Sequence, residues 1–497
     1  MVYASLLPLW EGFDEPFHYG CVQTVARQGR LPRLNRTGLS GEIRASLELA
    51  PASHLVQRNL PVVTTYAEYF RLDPRERARR AAALHAIPPS LGDRIPDDGT
   101  NYEAQQAPLA YLILAPFDRL WAGAALPVRV WRLRILCGVT GAACAVWATL
   151  ALGRALGLRA PFAYAAGFLV ASTQMLYGAA AHVANDWLAV AICPIFLLAA
   201  VAYYEAPSGR RAALTGLALA AGLLAKAYFL AFIPLALALV LCRRSGLARF
   251  LAPVLLAAAP WYVRNRLLYG NFTGLMDTLS EVGFGRVAAT ALAMPWGAVL
   301  AVSARRALWT ANNSFDAFSS ATLNGMLVLA LVAAALYARA AWRKRPAPGE
   351  WVLMAGILLF GAATAYSTTT LFAIFGGIAA GGAPWYTPAI FPAVFVLLAA
   401  GLERGGTAGR WVLAGMLAAW TWVLIATWWV KLIPLYGGYS GRVRAGALAA
   451  WYAGGMGLVN STAMIAPGAV AALAGVSTVA AAALAIMLGR AAFRRAV

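Results

Sequence analysis

The sequence predicts an all-α polytopic membrane protein, and three observations carry that reading. Hydrophobic residues make up 61% of the 497-residue chain and charged residues only 12%, whereas a soluble domain carries about 25% charge. From residue 108 onward apolar runs follow one another, near 108–124, 131–153, 160–181, 186–205, 211–225, 227–242, 249–263, 322–340, 351–372, 384–402, 410–433 and 465–489. Only residues 11–107 form a long polar region. Counting the short apolar start, about twelve transmembrane helices are expected, with interfacial helices in a long first external loop.

The first element is short. About nine apolar residues, Val2 to Trp10, precede a charged corner, and a span needs roughly 20. Residues 1–10 therefore read as the remnant of a first transmembrane helix. The corner itself is Glu11-Gly-Phe-Asp14-Glu15-Pro-Phe-His18. Carboxylates and a histidine at a bilayer surface are costly to keep unless something uses them. Asp14 is suited to cap a helix, with Pro16 in its first turn, Phe17, Cys21, Val22 and Val25 on one face, and Gly29 and Pro32 ending it. A second helix is expected over Pro74 to Ala86, solvated or interfacial, with Tyr66, Tyr69 and Phe70 beside it as bilayer anchors.

Basic residues set the topology. Arg154/Arg159, Arg210/Arg211, Arg243/Arg244/Arg249, Arg339/Arg343/Lys344/Arg345, Arg404/Arg410 and Arg490/Arg494/Arg495 fall at alternate turns, which belong inside. The external face then collects residues 11–130, His182–Asp186, Lys226, the loop 266–321, the turn near 373–383 and the loop 434–464. A transmembrane module occupies 131–265, and residues 322–497 supply the C-terminal helices. On this alternation the run 108–124, interrupted by Pro116, Asp118 and Arg119, does not cross but lies at the interface or re-enters. Arg129, Arg132, Arg134, Arg264, Arg266, Lys431, Arg442 and Arg444 are exceptions near the external side, and such exceptions point to anion binding. The net charge of +21 suits anionic head groups and phosphates. The basic residues sit at helix ends rather than on one surface, and no nucleic-acid module is present. Five cysteines in mostly apolar settings make no disulfide framework or metal pattern.

Four external features carry the chemistry. They are Asp14-Glu15 with His18; Tyr102-Glu103-Ala-Gln105-Gln106; His182-Val-Ala-Asn185-Asp186; and the cations Lys226 and Arg264. Each has a plainer reading. Asp14 and Asn185-Asp186 serve as helix caps, Lys226 snorkels, Arg264 anchors beside Trp261 and Tyr262, and Tyr102 to Gln106 is a polar turn. Together, carboxylates and cations at one membrane face fit transfer of a group from an anionic lipid.

The runs PLWEGFDEPFHYGCVQTVARQGRLP, YEAQQAPLAYLILAP, the Asn185-Asp186 turn, LLAKAYFLAFIP and PWYVRNRLLYGNFTG resemble the GT-C membrane glycosyltransferases. The branch they look most like is that of protein O-mannosyltransferases and lipid A aminoarabinose transferases. The resemblance covers about residues 5–275 and, more loosely, Trp385-Tyr386-Thr-Pro388 to Leu402. It implies the GT-C fold, a catalytic acid at Asp14 with Glu15 beside it, and a second acidic position at Asp186. Gln106-Ala107-Pro108-Leu109 stands where the family has Lys/His-Pro-Pro-Leu. The missing basic residue shifts the phosphate contact toward Lys226 and Arg264.

The function expected is inverting transfer of a sugar from a polyprenyl-phosphate donor to a lipid, glycan or protein acceptor, with Asp14 as general base. Glu103, Gln106, Asn185, Asp186, Lys226, Arg264, His18 and Tyr102 are the expected substrate contacts. No cofactor is obligatory; a divalent cation on Asp14, Asp186 and His182 is permitted. The expected setting is a bacterial inner membrane, with the site on its periplasmic face among membrane lipids. The alternatives are a lipid-linked glycan flippase or a non-catalytic relative that binds lipid. Asn312, Asn313 and Asp316, with Tyr436 and Tyr439, are acceptor contacts or plain turn and interface residues.

Overall fold

The computed structural model describes residues 1–52, 64–243, 245–274, 282–309, 318–376, 384–439, 445–454 and 464–494, and among these every regular element is a helix. An N-terminal layer comprises α1 (Val2–Leu6), α2 (Glu15–Gln28), α3 (Gly41–Leu49), α4 (Tyr66–Arg71), α5 (Pro74–His85) and α6 (Leu109–Leu120). The first half of the bundle is α7 (Leu126–Ala155), α8 (Ala160–Ser172), α9 (Met175–Ala180), α10 (Asp186–Glu205), α11 (Gly209–Ala225), α12 (Ile233–Arg243), α13 (Leu247–Pro253) and α14 (Ala259–Tyr269). Two further helices, α15 (Phe284–Ala293) and α16 (Trp296–Leu308), lie within the stretch expected to be loop. The second half is α17 (Ser320–Arg343), α18 (Pro348–Phe375), α19 (Phe391–Arg404), α20 (Gly406–Ala426), α21 (Ile433–Tyr436), α22 (Ala445–Ala453) and α23 (Pro467–Phe493).

Local chemistry explains the helices of this N-terminal layer. In α2, Pro16 sits in the first turn and Gly29 ends the helix with φ 63, a conformation that costs glycine nothing. The Ser40 hydroxyl caps α3 at the Ile43 amide (3.2 Å), and Asp73 caps α5 at the Arg75 amide (2.8 Å). Helix α6 contains Pro116 and has 12 residues. It is therefore about 18 Å long, short of the roughly 30 Å hydrocarbon core, and it packs on α2.

A buried polar network binds this layer to the bundle. The Tyr19 hydroxyl donates to Asp118 (2.7 Å), and Arg129 of α7 donates to Tyr19 (2.7 Å) and Asp118 (3.1 Å) and is ion-paired with Glu42. Gln23 donates to Glu42 (2.8 Å) and accepts from Ser40 (2.7 Å). Arginine 129 is wholly buried, and at such a site an unpaired charge is strongly unfavourable. Two of the out-of-place arginines read from sequence as anion sites, Arg129 and Arg134, are answered here by carboxylates of the chain itself.

Among the described residues six helices are long and apolar enough to cross a membrane: α7, α10, α17, α18, the continuous Gly406–Tyr436, and Gly468–Phe493. The number is seven if α15 and α16, bent by 93°, count as one span. The expected figure of about twelve is not reached by this measure, because several apolar runs are interrupted. Thr173 and Gln174 part α8 from α9, Lys226 ends α11 before a 3-10 turn at Ala227–Phe232, and Pro253 precedes a π turn at Val254–Ala258. Such breaks follow from a lost amide donor or a polar residue within the run.

Candidate active site

Two strained residues bracket the acidic corner. Trp10 has φ 67 and Asp14 has φ 54, in the left-handed region that costs a non-glycine residue about 1–2 kcal/mol. Such strain persists where the surroundings fix it, and it gathers at functional sites. Trp10 is fixed by burial and by its indole N–H, which donates to Ser46 (2.9 Å). Asp14 occupies the N-cap position of α2, yet its side chain caps nothing. This corrects the capping expectation: the carboxylate instead accepts the hydroxyl proton of Tyr102, 88 residues on.

The backbone of Gly12 brings this corner against the turn His182–Asp186. A Cβ on Gly12 would run into the His182 side chain at its stem. The same turn is held from below, where Gly138 and Gly141 of α7 let Ala180, Ala181 and Trp187 approach closely. Gly12→Ala is expected to destabilise the protein by about 1–3 kcal/mol through overpacking, read as a lowered Tm in detergent with parallel loss of any turnover.

Asp14, Glu103, Asp186 and Lys226 form one electrostatic cluster. Burial raises the Asp14 pKa above the usual carboxylate range, the Tyr102 hydroxyl and Lys226 pull it down, and Asp186 pushes it up. Glu103 is fully enclosed, and burial followed by the Asp14 charge pushes its pKa up to about 8. Its Oε2 has no hydrogen-bond partner among the described residues. Lys226 is ion-paired with Asp186 and stands 4.7 Å from the centre of the Tyr386 ring. Asn185 joins the cluster by donating to Gln106 (3.2 Å).

The other expected residues are placed around or away from this cluster. Glu15 is buried behind Asp14, bonded to Arg134 (2.7 Å) and to the Val183 amide (2.9 Å). His18 pairs with the Tyr111 hydroxyl (2.7 Å). His182 meets Phe13 edge-on at 6.0 Å, and its Nε2 is without a partner among the described residues. Arg264 stands 4.6 Å from the Trp261 ring centre and donates to the Pro32 carbonyl (3.0 Å). None of its described contacts is with Asp14, Glu103, Asp186 or Lys226. Tyr436 donates to Glu11 (2.8 Å) and Tyr439 stacks edge-on with Trp451. Asn312, Asn313 and Asp316 lie outside the described residues.

Sequence reasoning missed the aromatic wall. Phe13 packs on Trp385 (5.7 Å), Trp385 on Tyr386 (5.8 Å), and Tyr386 on Tyr228 (5.5 Å). The Trp385-Tyr386-Thr-Pro388 run was the available signal, although nothing local ties it to Lys226. Among the described residues no three His, Cys, Asp or Glu side chains gather as a metal-holding set. Asp186 instead has Lys226 as its cation.

No protein-family model and no curated protein sequence matches the chain. A search of solved structures returns the crystal structure of ArnT from Cupriavidus metallidurans in the apo state, at 15% identity and a TM-score of 0.38, covering 95% of this chain and 75% of that one.

Proposed function

We propose that the chain is an inverting GT-C-type glycosyltransferase of the bacterial inner membrane. It takes a sugar from a polyprenyl-phosphate donor at the periplasmic face and passes it to a hydroxyl or amine of a lipid, glycan or protein acceptor. The observation that carries this reading is the Asp14 carboxylate, held on a strained backbone by Tyr102 and coupled to Lys226 and Asp186.

In the reaction Asp14 accepts the proton of the acceptor group as that group attacks the anomeric carbon. The bond from that carbon to the phosphate oxygen breaks, and its electron pair leaves with the phosphate. A phosphate leaves without a general acid, so its developing charge needs a fixed cation rather than a second proton donor. Lys226 supplies that charge, with Asp186 and Tyr386 fixing its position. Arg264, engaged by Trp261 and Pro32, is assigned to lipid head groups at the rim. Glu103, Gln106 and Asn185 present polar atoms to the sugar.

The pH profile follows from the two raised carboxyls. Asp14 must be ionised to act, so turnover rises with pH through its pKa. Glu103 is neutral below about 8 and becomes a second anion above it, opposing the donor phosphate and competing for Lys226. Turnover is therefore expected to fall past pH 8. Glu103→Gln stays neutral and is expected to remove the alkaline fall, a gain of about tenfold relative to the wild-type decline at pH 9. An alkaline limb that survives the substitution would assign it to another group.

The deciding experiment is polyprenyl-phosphate release from a panel of polyprenyl-phosphate sugars in nanodiscs, with a membrane glycan extract as acceptor. Acceptor-dependent release establishes the transferase, and the responding donor names the sugar. Donor binding without release would instead favour a flippase or a binding-only relative.

A further inference from the structure

We propose that α15 and α16 form a re-entrant hairpin embedded in the outer leaflet, so that the partner of this surface is the lipid bilayer itself. Three independent observations converge on it.

The first is reach. The helices have 10 and 13 residues and meet at a bend of 93° across Met294-Pro295. At 1.5 Å per residue they measure about 15 and 20 Å, so a right-angled pair spans only about 25 Å end to end. The hydrocarbon core is about 30 Å thick. Bent in this way, the pair is too short to cross.

The second is parity. By the charge rule Arg243 and Arg249 put the start of α13 inside, and the helical run Leu247–Tyr269, continuous through its π turn and about 34 Å long, reaches the other face although it is not among the six apolar spans. Arg339 and Arg343 put the end of α17 inside, so its start at Ser320 is outside. What lies between must leave and return on the same face.

The third is the pattern of side chains. The 18 residues 287–304 carry no charge, whereas Arg286 stands at one end and Arg305 with Arg306 at the other. Phe284, Leu292 and Leu300 are 80%, 91% and 61% exposed. Val287, Met294 and Val299 are buried where the pair packs on α18 and on the turn Pro384–Ala389 that carries Tyr386. The hairpin is thus the membrane-side wall of the Lys226–Tyr386 region. Polar side chains near the apex are satisfied within the hairpin, as hydrocarbon requires: Thr290 donates to the Arg286 carbonyl (2.8 Å) and the Trp296 indole to the Ala291 carbonyl (2.7 Å). Arginines at both ends and an apolar apex fit phosphates at head-group level with the apex among acyl chains.

The test uses single cysteines introduced as Gly283→Cys, Leu292→Cys and Arg305→Cys. The background carries Cys144→Ser and Cys242→Ser, because the other three native cysteines are buried. Intact spheroplasts are treated with a membrane-impermeant maleimide, and an environment-sensitive fluorophore at position 292 is read in nanodiscs containing nitroxide-labelled lipids. Positions 283 and 305 are expected to react from outside. Position 292 is expected to resist the aqueous reagent by at least tenfold and to be quenched by the lipid nitroxide. Reaction at only one end until the membrane is permeabilised would make the pair a span. Reaction at 292 as fast as at the ends would put the pair on the surface. Phe284→Cys and Leu300→Cys, read in the same way, cover the case in which Leu292→Cys fails to give a monodisperse protein.

Discussion

Asp14→Asn is expected to lower kcat for polyprenyl-phosphate release by about 10²–10⁴-fold, the usual range for loss of a general base, while changing the donor KM by less than about threefold. The prediction is sharp because the substitution leaves the architecture alone. Asparagine tolerates the left-handed backbone that residue 14 adopts, and its carbonyl oxygen still accepts from Tyr102. What it loses is the ability to take a proton and the negative charge shared with Glu103 and Lys226. Removing that charge also relieves the push on Glu103, so the alkaline limb in the variant should move below pH 8. Asp14→Ala is a poorer test, since alanine loses the Tyr102 contact and sits less easily at positive φ. Release by Asp14→Asn equal to wild type would remove Asp14 from the chemistry.

What the sequence made legible was local. Pro16 and Gly29 mark α2 almost to the residue, and the Pro74 run becomes α5 with Asp73 as its cap. Asp14, Glu103, Asp186 and Lys226 stand out because ionisable groups in or beside apolar sequence are rare, and they meet in one cluster. Partners were not legible. The pairing of Asp14 with Tyr102 spans 88 residues, and that of Lys226 with Asp186 spans 40, so no local pattern encodes either. Arg264 shows the opposite failure: its long side chain reaches the Pro32 carbonyl rather than the carboxylate cluster. Nor did the stretch 266–321 declare its helices, because a proline-broken apolar run without caps reads equally well as loop.

Arg134→Met is expected to destabilise the protein by about 3–5 kcal/mol, the cost of leaving a buried carboxylate unpaired. Arg134 is wholly buried in α7. It binds Glu15 (2.7 Å) and donates to the carbonyls of Leu7 (2.6 Å) and Pro8 (2.8 Å), while Glu15 in turn accepts from the Val183 amide. One side chain therefore joins the end of α1, the start of α2 and the turn before α10, the three pieces that set Asp14 against His182. Burial alone would raise the Glu15 pKa, but the Arg134 charge and hydrogen bonds hold it below the usual range. The sign follows from that depression. The pair's contribution is present above the unfolded carboxylate pKa, about 4.3, and is lost as pH falls through the lower folded value. In Arg134→Met the burial effect is unopposed, so Glu15 takes up a proton at higher pH, and the deficit relative to wild type should narrow as pH drops toward 4. Arg134→Met combined with Glu15→Gln removes the stranded charge and is expected to recover a substantial part of the loss, measured as Tm in detergent at pH 7.5. Arg134→Lys keeps the charge but not the planar fork that serves Glu15 and two carbonyls together, so it should fall between wild type and Arg134→Met. A double variant no more stable than Arg134→Met would show that the carbonyl contacts, rather than the ion pair, hold the corner in place.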